Sequence, residues 1–436
     1  MTDSDQTQTS PGVTTGGIAL PNKWLVLALL LGIAVFNHAD RYLLAGLVEP
    51  IKAEFGVSDS FMGLLMGPAF AVFYSTLAIP IAIYADRASR IAIITVGCIV
   101  WSAFTVLSGF AADEWQLAAA RVGVGVGEAA FAAPAYSLIA AYFTPDQRGR
   151  AFAVIALAVY FGQMLGYGGG PAIANYDDWR LAFKVMGAGG LVVILIAWLI
   201  IREPSRNEGE AEVRVPILPL LAQLTKRRSY LLMTFGMAAG VMSGISFGLW
   251  GPTLFARSYE MTLTDAGAAF GSAFTLPGII GALLFGFIAD RMTKHGYDKM
   301  LVLSAIGLTL ATIAVVAAIW AASVSSAVLW AIPAGLFGGG WAVGIYAGLQ
   351  YILPDRLRAT GTAISMLALN LLGYVVGPWL VGVLSDGIGG ENSLQLALTI
   401  VVPVGVIGAA LLWIGRNRLD HDRSELERVS ETMKTI

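Results

Sequence analysis

Ala85-Asp86-Arg87 closes one long apolar run, and 204 residues later Ala289-Asp290-Arg291 closes another. Three further pairs keep nearly the same spacing. Ser58-Asp59 and Thr264-Asp265 stand ahead of those same two runs, 206 apart. Thr144-Pro145-Asp146-Gln147-Arg148 and Leu353-Pro354-Asp355-Arg356 each follow a later run, 209 apart. Gly170-Pro171 and Gly377-Pro378 lie inside the next, 207 apart. One such match is chance. Four in order at a nearly constant offset mean that the chain is built twice over.

Working outward, apolar runs recur twelve times, at about 24–48, 60–85, 91–111, 115–143, 150–174, 181–201, 230–256, 265–289, 300–321, 326–352, 359–385 and 394–415. Each is long enough to cross a hydrocarbon layer as a tilted helix. Hydrophobic residues make up 57 % of the chain and charged ones 13 %, with a mean hydropathy of +0.72. A soluble domain carries about 25 % charged residues, so this chain cannot cover itself with polar surface and lipid is its solvent. The fold expected is an all-α polytopic membrane protein of twelve transmembrane helices in two pseudo-symmetric six-helix halves. Its parts are an N-terminal tail (1–23), a first bundle (24–201), a linker (202–229), a second bundle (230–415) and a C-terminal tail (416–436). The polar start lacks the basic and short apolar regions of a cleaved signal. In the linker, Ile217 to Leu224 suits a short interfacial helix. In the tail, Glu425, Arg428 and Glu431 fall at helical spacing, which predicts a short exposed helix or disorder.

Orientation follows from Lys and Arg, which accumulate in cytoplasmic loops. Loops after even-numbered runs carry fifteen, from Arg87 and Arg90 to Arg356 and Arg358, and loops after odd-numbered runs carry four: Lys52, Arg180, Lys184 and Arg257. Both termini are therefore expected in the cytoplasm, and short loops and tails point to a bacterial inner membrane. A net charge of −2 gives no footing for nucleic acid. Cys98 is the only cysteine, which excludes an intrachain disulfide and a thiolate metal site.

Charges also sit inside the runs. Asn37-His38-Ala39-Asp40-Arg41 interrupts the first, and Arg121-Val122-Gly123-Val124-Gly125-Val126-Gly127-Glu128 lies in the fourth. Ionisable groups at membrane depth are expensive and mark substrate, ion or proton paths. Ile83-Tyr84-Ala85-Asp86-Arg87-Ala88-Ser89-Arg90 resembles the major facilitator signature between helices 2 and 3, with Ala82 and Ser89 in place of its usual glycines. Gly286 to Arg291 resembles its second copy, and Arg121 to Gly125 the helix 4 signature. Within that superfamily, Asn37 to Gly46 and Gly125-Val126-Gly127-Glu128-Ala129 resemble the spinster family, which exports lysolipids and sphingoid phosphates. The helix 1 part also resembles symporters of sugar acids. The resemblance implies parallel halves with nested inverted repeats and a site near the midplane between them.

Asp40 and Arg41 point about 100° apart on a helix, Arg41 shares a face with Asn37 four residues earlier, and Arg121 and Glu128 lie two turns apart on one face. With helices 1 and 4 as neighbours lining the cavity, an Asp40–Arg121–Glu128 cluster is expected, and the resemblance implies proton coupling by Asp40 and Glu128. A permanent structural ion pair is the other reading of the same residues. Arg41 then remains to hold an anionic head group, since guanidinium matches phosphate or carboxylate in bidentate fashion; it can instead neutralise Asp40 or Glu128. Asn37, His38, Tyr136, Gln163, Tyr346 and Asn370 are candidate substrate contacts, although aromatic residues also serve packing and membrane interfaces. Asp86, Arg87, Arg90, Asp290 and Arg291 suit a cytoplasmic latch between the halves, or equally topogenic surface charge.

The function expected is a proton-coupled secondary transporter of amphipathic lipids, lysophospholipid or sphingoid in type, working by alternating access. The alternative is a proton-coupled symporter of small organic anions such as sugar acids. An enzyme is not expected: there is no H-E-x-x-H run, no P-loop and only three histidines, His38, His295 and His421. No cofactor or metal is called for beyond the proton gradient, and a monomer suffices. The partners expected are a lipid-like substrate, protons and membrane lipid.

Overall fold

A computed structural model describes residues 14–15, 18–85, 87–204, 217–292, 294 and 296–432. Twelve helices among them are long and apolar enough to cross a membrane. Spans 1 to 6 are Lys23–Gly46, Asp59–Ala85, Arg90–Ser108, Glu114–Tyr142, Pro145–Ala174 and Trp179–Ile200; spans 7 to 11 are Arg228–Tyr259, Leu263–Met292, Tyr297–Ile319, Val324–Ile352 and Thr360–Ile388. Span 12 is a run of two segments, Ser393–Val401 and Val404–Gly415, continued by a tail helix, Leu419–Thr432. Apart from a two-residue antiparallel pairing of Thr14–Thr15 with Ile18–Ala19, the described chain is helical. The expected all-α architecture of twelve spans is therefore observed.

Local chemistry sets the helix starts. Asn22, Ser58, Ser89, Asp113, Asp178, Thr262 and Ser323 each turn a side-chain oxygen onto an N–H of the following turn. Such caps satisfy backbone donors that a helix start leaves unpaired, and the need is severe beside lipid. The interiors are less regular. Spans 5 and 11 open into π-helical turns at Leu165–Gly169 and Asn370–Val375, just ahead of Gly170-Pro171 and Gly377-Pro378. Proline has no N–H to give the ladder, and a wide turn ahead of it is one way to absorb the loss. Span 8 has the same turn at Gly271–Thr275, and span 2 breaks at Gly67.

These four interrupted spans are where the halves meet. Span 2 crosses span 11 so closely that a Cβ on Gly63 would lie 2.6 Å from the Pro378 carbonyl oxygen. Span 8 crosses span 5 with a Cβ position on Gly267 only 1.9 Å from the Tyr167 oxygen. Only glycine allows backbones to approach in this way. Tyr167 also donates its hydroxyl to the Gly248 carbonyl on span 7, at 2.8 Å.

With an even number of spans, both ends of the chain emerge on one side, called here the terminal side; the other is the far side. On the terminal side two expectations need correcting. The linker helix Ile217–Leu224 forms, but Leu220 and Leu224 are buried in a cluster with Tyr230, Leu353, Leu357, Leu419 and Leu426. It is docked on protein. The rest of the linker, 205–216, lies outside the described residues. The described part of the tail forms the expected helix, Leu419–Thr432, but it is not simply exposed. Asp422 accepts from the backbone N–H and the hydroxyl of Ser229, both at 2.7 Å, at the start of span 7, while Leu419 and Leu426 pack beneath. The sequence showed the charged face of this helix; its two leucines and Asp422 make the opposite face a docking face.

Asp422→Ala is expected to lower the melting temperature of the purified protein by several degrees, because hydrogen bonds to an ionised group contribute about 1.5–3 kcal/mol. Glu427→Ala, on the exposed face, is expected to leave it unchanged. Equal melting of both variants and wild type would show that the docking contributes nothing.

Candidate functional site

Span 1 brings Asn37, Asp40 and Arg41 to span 4, which presents Arg121 and Glu128. The four residues Asn37, Asp40, Arg121 and Glu128 are almost wholly buried. Arg121 Nη1 lies 3.2 Å from Asp40 Oδ2. Arg41 places both Nε and Nη2 at 2.7 Å from Glu128 Oε2. The expected Asp40–Arg121–Glu128 cluster is thus divided into two pairs that cross between the helices. The reason is geometric. Seven residues rise about 10.5 Å, so Arg121 cannot serve Asp40 and Glu128 together, while Arg41, turned away from Asp40, falls beside Glu128. Arg41 is accordingly not a spare cation in this conformation, and it reaches Asn37 Oδ1 only at 3.4 Å.

Span 2 supplies a component that the sequence reading missed. The Phe70 ring lies 4.7 Å from the Arg41 guanidinium and 5.7 Å from that of Arg121, standing against both pairs. Tyr74, stacked on Phe70, lies 4.5 Å from Arg41. Cation–π attraction gains from the dry setting and holds Arg41 without using its hydrogen-bond donors. No charge or motif flags these rings in a sequence already rich in aromatics. Of the buried side-chain atoms without a protein hydrogen-bond partner among the described residues, four lie here: Asn37 Nδ2, Asp40 Oδ1, Arg121 Nε and Glu128 Oε1. Each belongs to one of the ionised residues or to Asn37 beside them. Buried polar groups are ordinarily satisfied, so these are the positions at which a ligand, a water or a proton finds unused bonding capacity.

A small cavity of about 60 Å³ adjoins the cluster, lined among others by Asn37, His38, Arg41, Tyr74, Glu128 and Tyr136. Of the candidate contacts, Asn37, His38, Arg41 and Tyr136 therefore line it, and like the rest of that lining they come from the first half. Gln163 is not in that lining; it lies beside the Tyr42 hydroxyl, where Tyr374 of span 11 also reaches. Tyr346 comes from the second half, close enough to Tyr136 to interact with it, with its hydroxyl 3.9 Å from Met366 Sδ. Asn370 opens the π-helical turn of span 11. It is not in the lining of that cavity. Among the described residues no group of three or more His, Cys, Asp or Glu side chains is placed to hold a metal.

The far side is closed by a charge knot that was not anticipated. Asp59, at the start of span 2, takes a bidentate pair from Arg257 of span 7 at 2.7 and 2.8 Å, a hydroxyl from Ser385 at 2.7 Å, and Lys52. Arg257 also holds Glu49. Asp386 of span 11 accepts the backbone N–H groups of Asp59 and Ser60 at 3.0 and 2.7 Å, capping span 2 from the other half. A signal was present: Lys52 and Arg257 are two of the four cations that depart from the loop bias. The other two are also engaged, Arg180 with Glu54 and Lys184 over the Phe110 ring.

The expected latch residues lie on the terminal side. Asp86 lies outside the described residues. Arg87 is exposed. Arg90 pairs with Glu203 of its own half at 2.6 Å, and Arg291 stacks on Phe287 of its own helix. Burial pushes the Glu203 carboxyl up, but Arg90, the Ile91 N–H and Ser89 together hold it below the usual carboxylate range. That contact ties the linker to span 3 and not to the other half.

Arg121→Met is expected to destabilise the protein by about 3–5 kcal/mol, because Asp40 is left buried and uncompensated, while the double variant Asp40→Leu/Arg121→Met recovers much of the loss. Thermal unfolding checks this, and a double variant as unstable as the single one would contradict it. For the far side, spin labels at Tyr176→Cys and Glu391→Cys in a Cys98→Ala background are expected to move apart when Arg257→Gln is added. An unchanged distance distribution would show that the knot does not hold the halves.

The family profile described as Major Facilitator Superfamily matches residues 30–371 and, in a second segment, 270–433. An "MFS-type efflux pump" of Mycolicibacterium smegmatis is 29 % identical over 413 residues, covering 93 % of this chain and 95 % of that protein. "Protein spinster homolog 1" of Homo sapiens is 28 % identical over 442 residues, covering 94 % and 82 %. Two crystal structures of a bacterial homolog of the human lysosomal transporter Spinster, both inward-facing, one unoccupied and one occupied, are each 26 % identical to this chain. They superpose with TM-scores of 0.82 and 0.81, covering 92 % of this chain and 98 % of that one.

Proposed function

Because the chain belongs to the major facilitator superfamily and is a transporter of the spinster type, we propose that it moves an amphipathic lipid with an anionic head group, lysophospholipid or sphingoid in type, in exchange with or alongside protons. The observation that carries this reading is the pair of crossed ion pairs beside a cavity into which Asn37, His38, Arg41 and Glu128 all reach. A head group with phosphate or carboxylate competes with Glu128 for Arg41, the one guanidinium of the cluster that lines the cavity. Glu128, losing its partner in a dry site, is neutralised by a proton. Head-group binding and proton binding at this site then affect one another reciprocally, as linkage requires. Asp40 and Arg121, one layer behind, hold the arrangement and offer a second protonation site. Phe70 and Tyr74 keep Arg41 in place while its carboxylate partner changes.

Alternating access follows from the same elements. The far side is pinned by Asp59, Arg257 and Asp386, so the cavity faces the terminal side. The loop charges make the terminal side cytoplasmic, and a bacterial inner membrane accommodates this topology. In this reading the sequence motifs that carry Asp86, Arg87, Arg90, Asp290 and Arg291 supply the latch that joins the halves when the far knot opens, which requires Arg90 to leave Glu203. A single chain contains the whole site, so a monomer is the working unit, and the proton gradient is the energy source without a cofactor.

The test is substrate-stimulated proton flux in proteoliposomes carrying a lumenal pH dye, with empty liposomes as the control for detergent-like leak. Lysophospholipid is expected to drive flux in the wild type, and Asp40→Asn and Glu128→Gln are each expected to abolish the proton signal. Flux with a sugar acid and none with the lipid would establish the organic-anion reading instead. Equal lipid-driven flux in wild type and both variants would remove the coupling role from the two carboxylates.

A further inference from the structure

Span 4 has a second working face. Glu128, Phe131, Ala132 and Ala135 look into the central cavity. Val126, Gly127 and Ala130 look the opposite way, into a groove of about 450 Å³ between spans 2, 3 and 4. This volume is in the range of small-molecule sites, about 300–1,000 Å³. Its walls are aliphatic, with Ile81 from span 2 and Ile93, Val96 and Val100 from span 3. Val96 is 62 % exposed and faces outward, where the surrounding medium is the bilayer. Slack packing does not explain the gap, because at its floor spans 3 and 4 touch: a Cβ on Gly97 would lie 2.5 Å from that of Ala130.

The groove runs toward the terminal side and ends in polar groups. Tyr84 is 64 % exposed there, and Ala88 and Ser89 complete the mouth. Arg87, next to Ala88 in the chain, is exposed, and Arg90 is engaged by Glu203. An aliphatic slot at hydrocarbon depth under an exposed guanidinium and a tyrosine at interface depth has the polarity profile of one lipid molecule. A free small apolar compound would have no use for the cation, and a soluble anion would have no use for the slot.

We propose that this groove is a binding site for a membrane phospholipid, with one acyl chain lying along Val96, Val100 and Val126 and its phosphate on Arg87. The site is separate from the central cavity, and the inference does not depend on which solute the cavity takes. Its occupation bears on the cavity through span 4. That span is interrupted between its segments Glu114–Glu128 and Ala132–Tyr142. The groove-facing Gly127 and Ala130 flank Glu128 and that break. A chain packed against them supports the bend that carries Glu128 to Arg41.

The experiment is native mass spectrometry of the full chain, delipidated in detergent and titrated with phosphatidylglycerol. Wild type is expected to hold one phospholipid that saturates ahead of the weaker adducts. Val96→Trp, which fills the slot, is expected to lose that step, whereas Val192→Trp on the lipid face of span 6 keeps it. Arg87→Ala is expected to weaken it by about fivefold, the usual effect of one interfacial cation. Arg41→Gln is expected to keep it, which distinguishes the groove from the central cavity. Should Val96→Trp fold poorly, as judged by its melting temperature, Arg87→Ala and Arg41→Gln decide between them. Loss of the step in Arg41→Gln with retention in Arg87→Ala would place the lipid in the cavity and overturn the proposal. So would equal, non-saturating adducts in every variant, which mean annular lipid alone.

Discussion

A charge placed where there is no water must be matched by another charge, and the central architecture of this protein follows from that requirement. Asp40, Arg41, Arg121 and Glu128 stand at membrane depth on two neighbouring helices. Left unmatched, any one of them would be among the most costly groups in the chain. The two crossed pairs bind span 1 to span 4 and fix their relative rotation. They also determine which guanidinium meets the cavity. A single pair would hold two helices together. Two pairs, with Phe70 against both, form an assembly in which altering one partner is felt by the others.

The same rule shapes the far side in a different way. There the charges are matched across the halves, with Asp59 held by Arg257 and Ser385, and with Asp386 on the backbone of span 2. These contacts act where spans 2 and 11, and spans 5 and 8, cross at glycine-permitted distance. All four of those spans are interrupted near the middle. Interrupted helices at the contact between two rigid bundles concentrate bending where the bundles must pivot. The ion pairs thus divide between ties inside the first half, Arg41–Glu128 and Arg121–Asp40, and a tie between the halves, Arg257–Asp59.

The terminal side shows how side-chain polarity alone can mislead. Glu425, Arg428 and Glu431 give the tail a solvated face, and a solvated face suggested exposure. Leu419, Asp422 and Leu426 give the same helix another face, buried against spans 7 and 10 and the linker helix. An acidic residue facing inward reads as a defect until its partner is known, and here the partner is the start of span 7, an element almost two hundred residues away in sequence. Arg90 carries the same lesson. Its place in a repeated motif suggested a tie between the halves, and a carboxylate in the linker takes it instead.

The sequence by itself determined the membrane class, the twelve spans, the two-fold repeat and the residues from which the central site is built. These rest on signals that need no partner: hydropathy and length, offsets between identical motifs, and the rarity of charge at hydrocarbon depth. Tertiary structure alone decided which carboxylate meets which guanidinium, because seven residues of helix rise separate Arg121 from Glu128 and one helix step turns Arg41 away from Asp40. It also decided the placement of Phe70 and Tyr74, since an aromatic ring carries no mark of the cation it will face. The far-side knot belongs to this second group. Its residues were visible as exceptions to the loop bias, but ion pairs across two hundred residues exist only once the halves have packed.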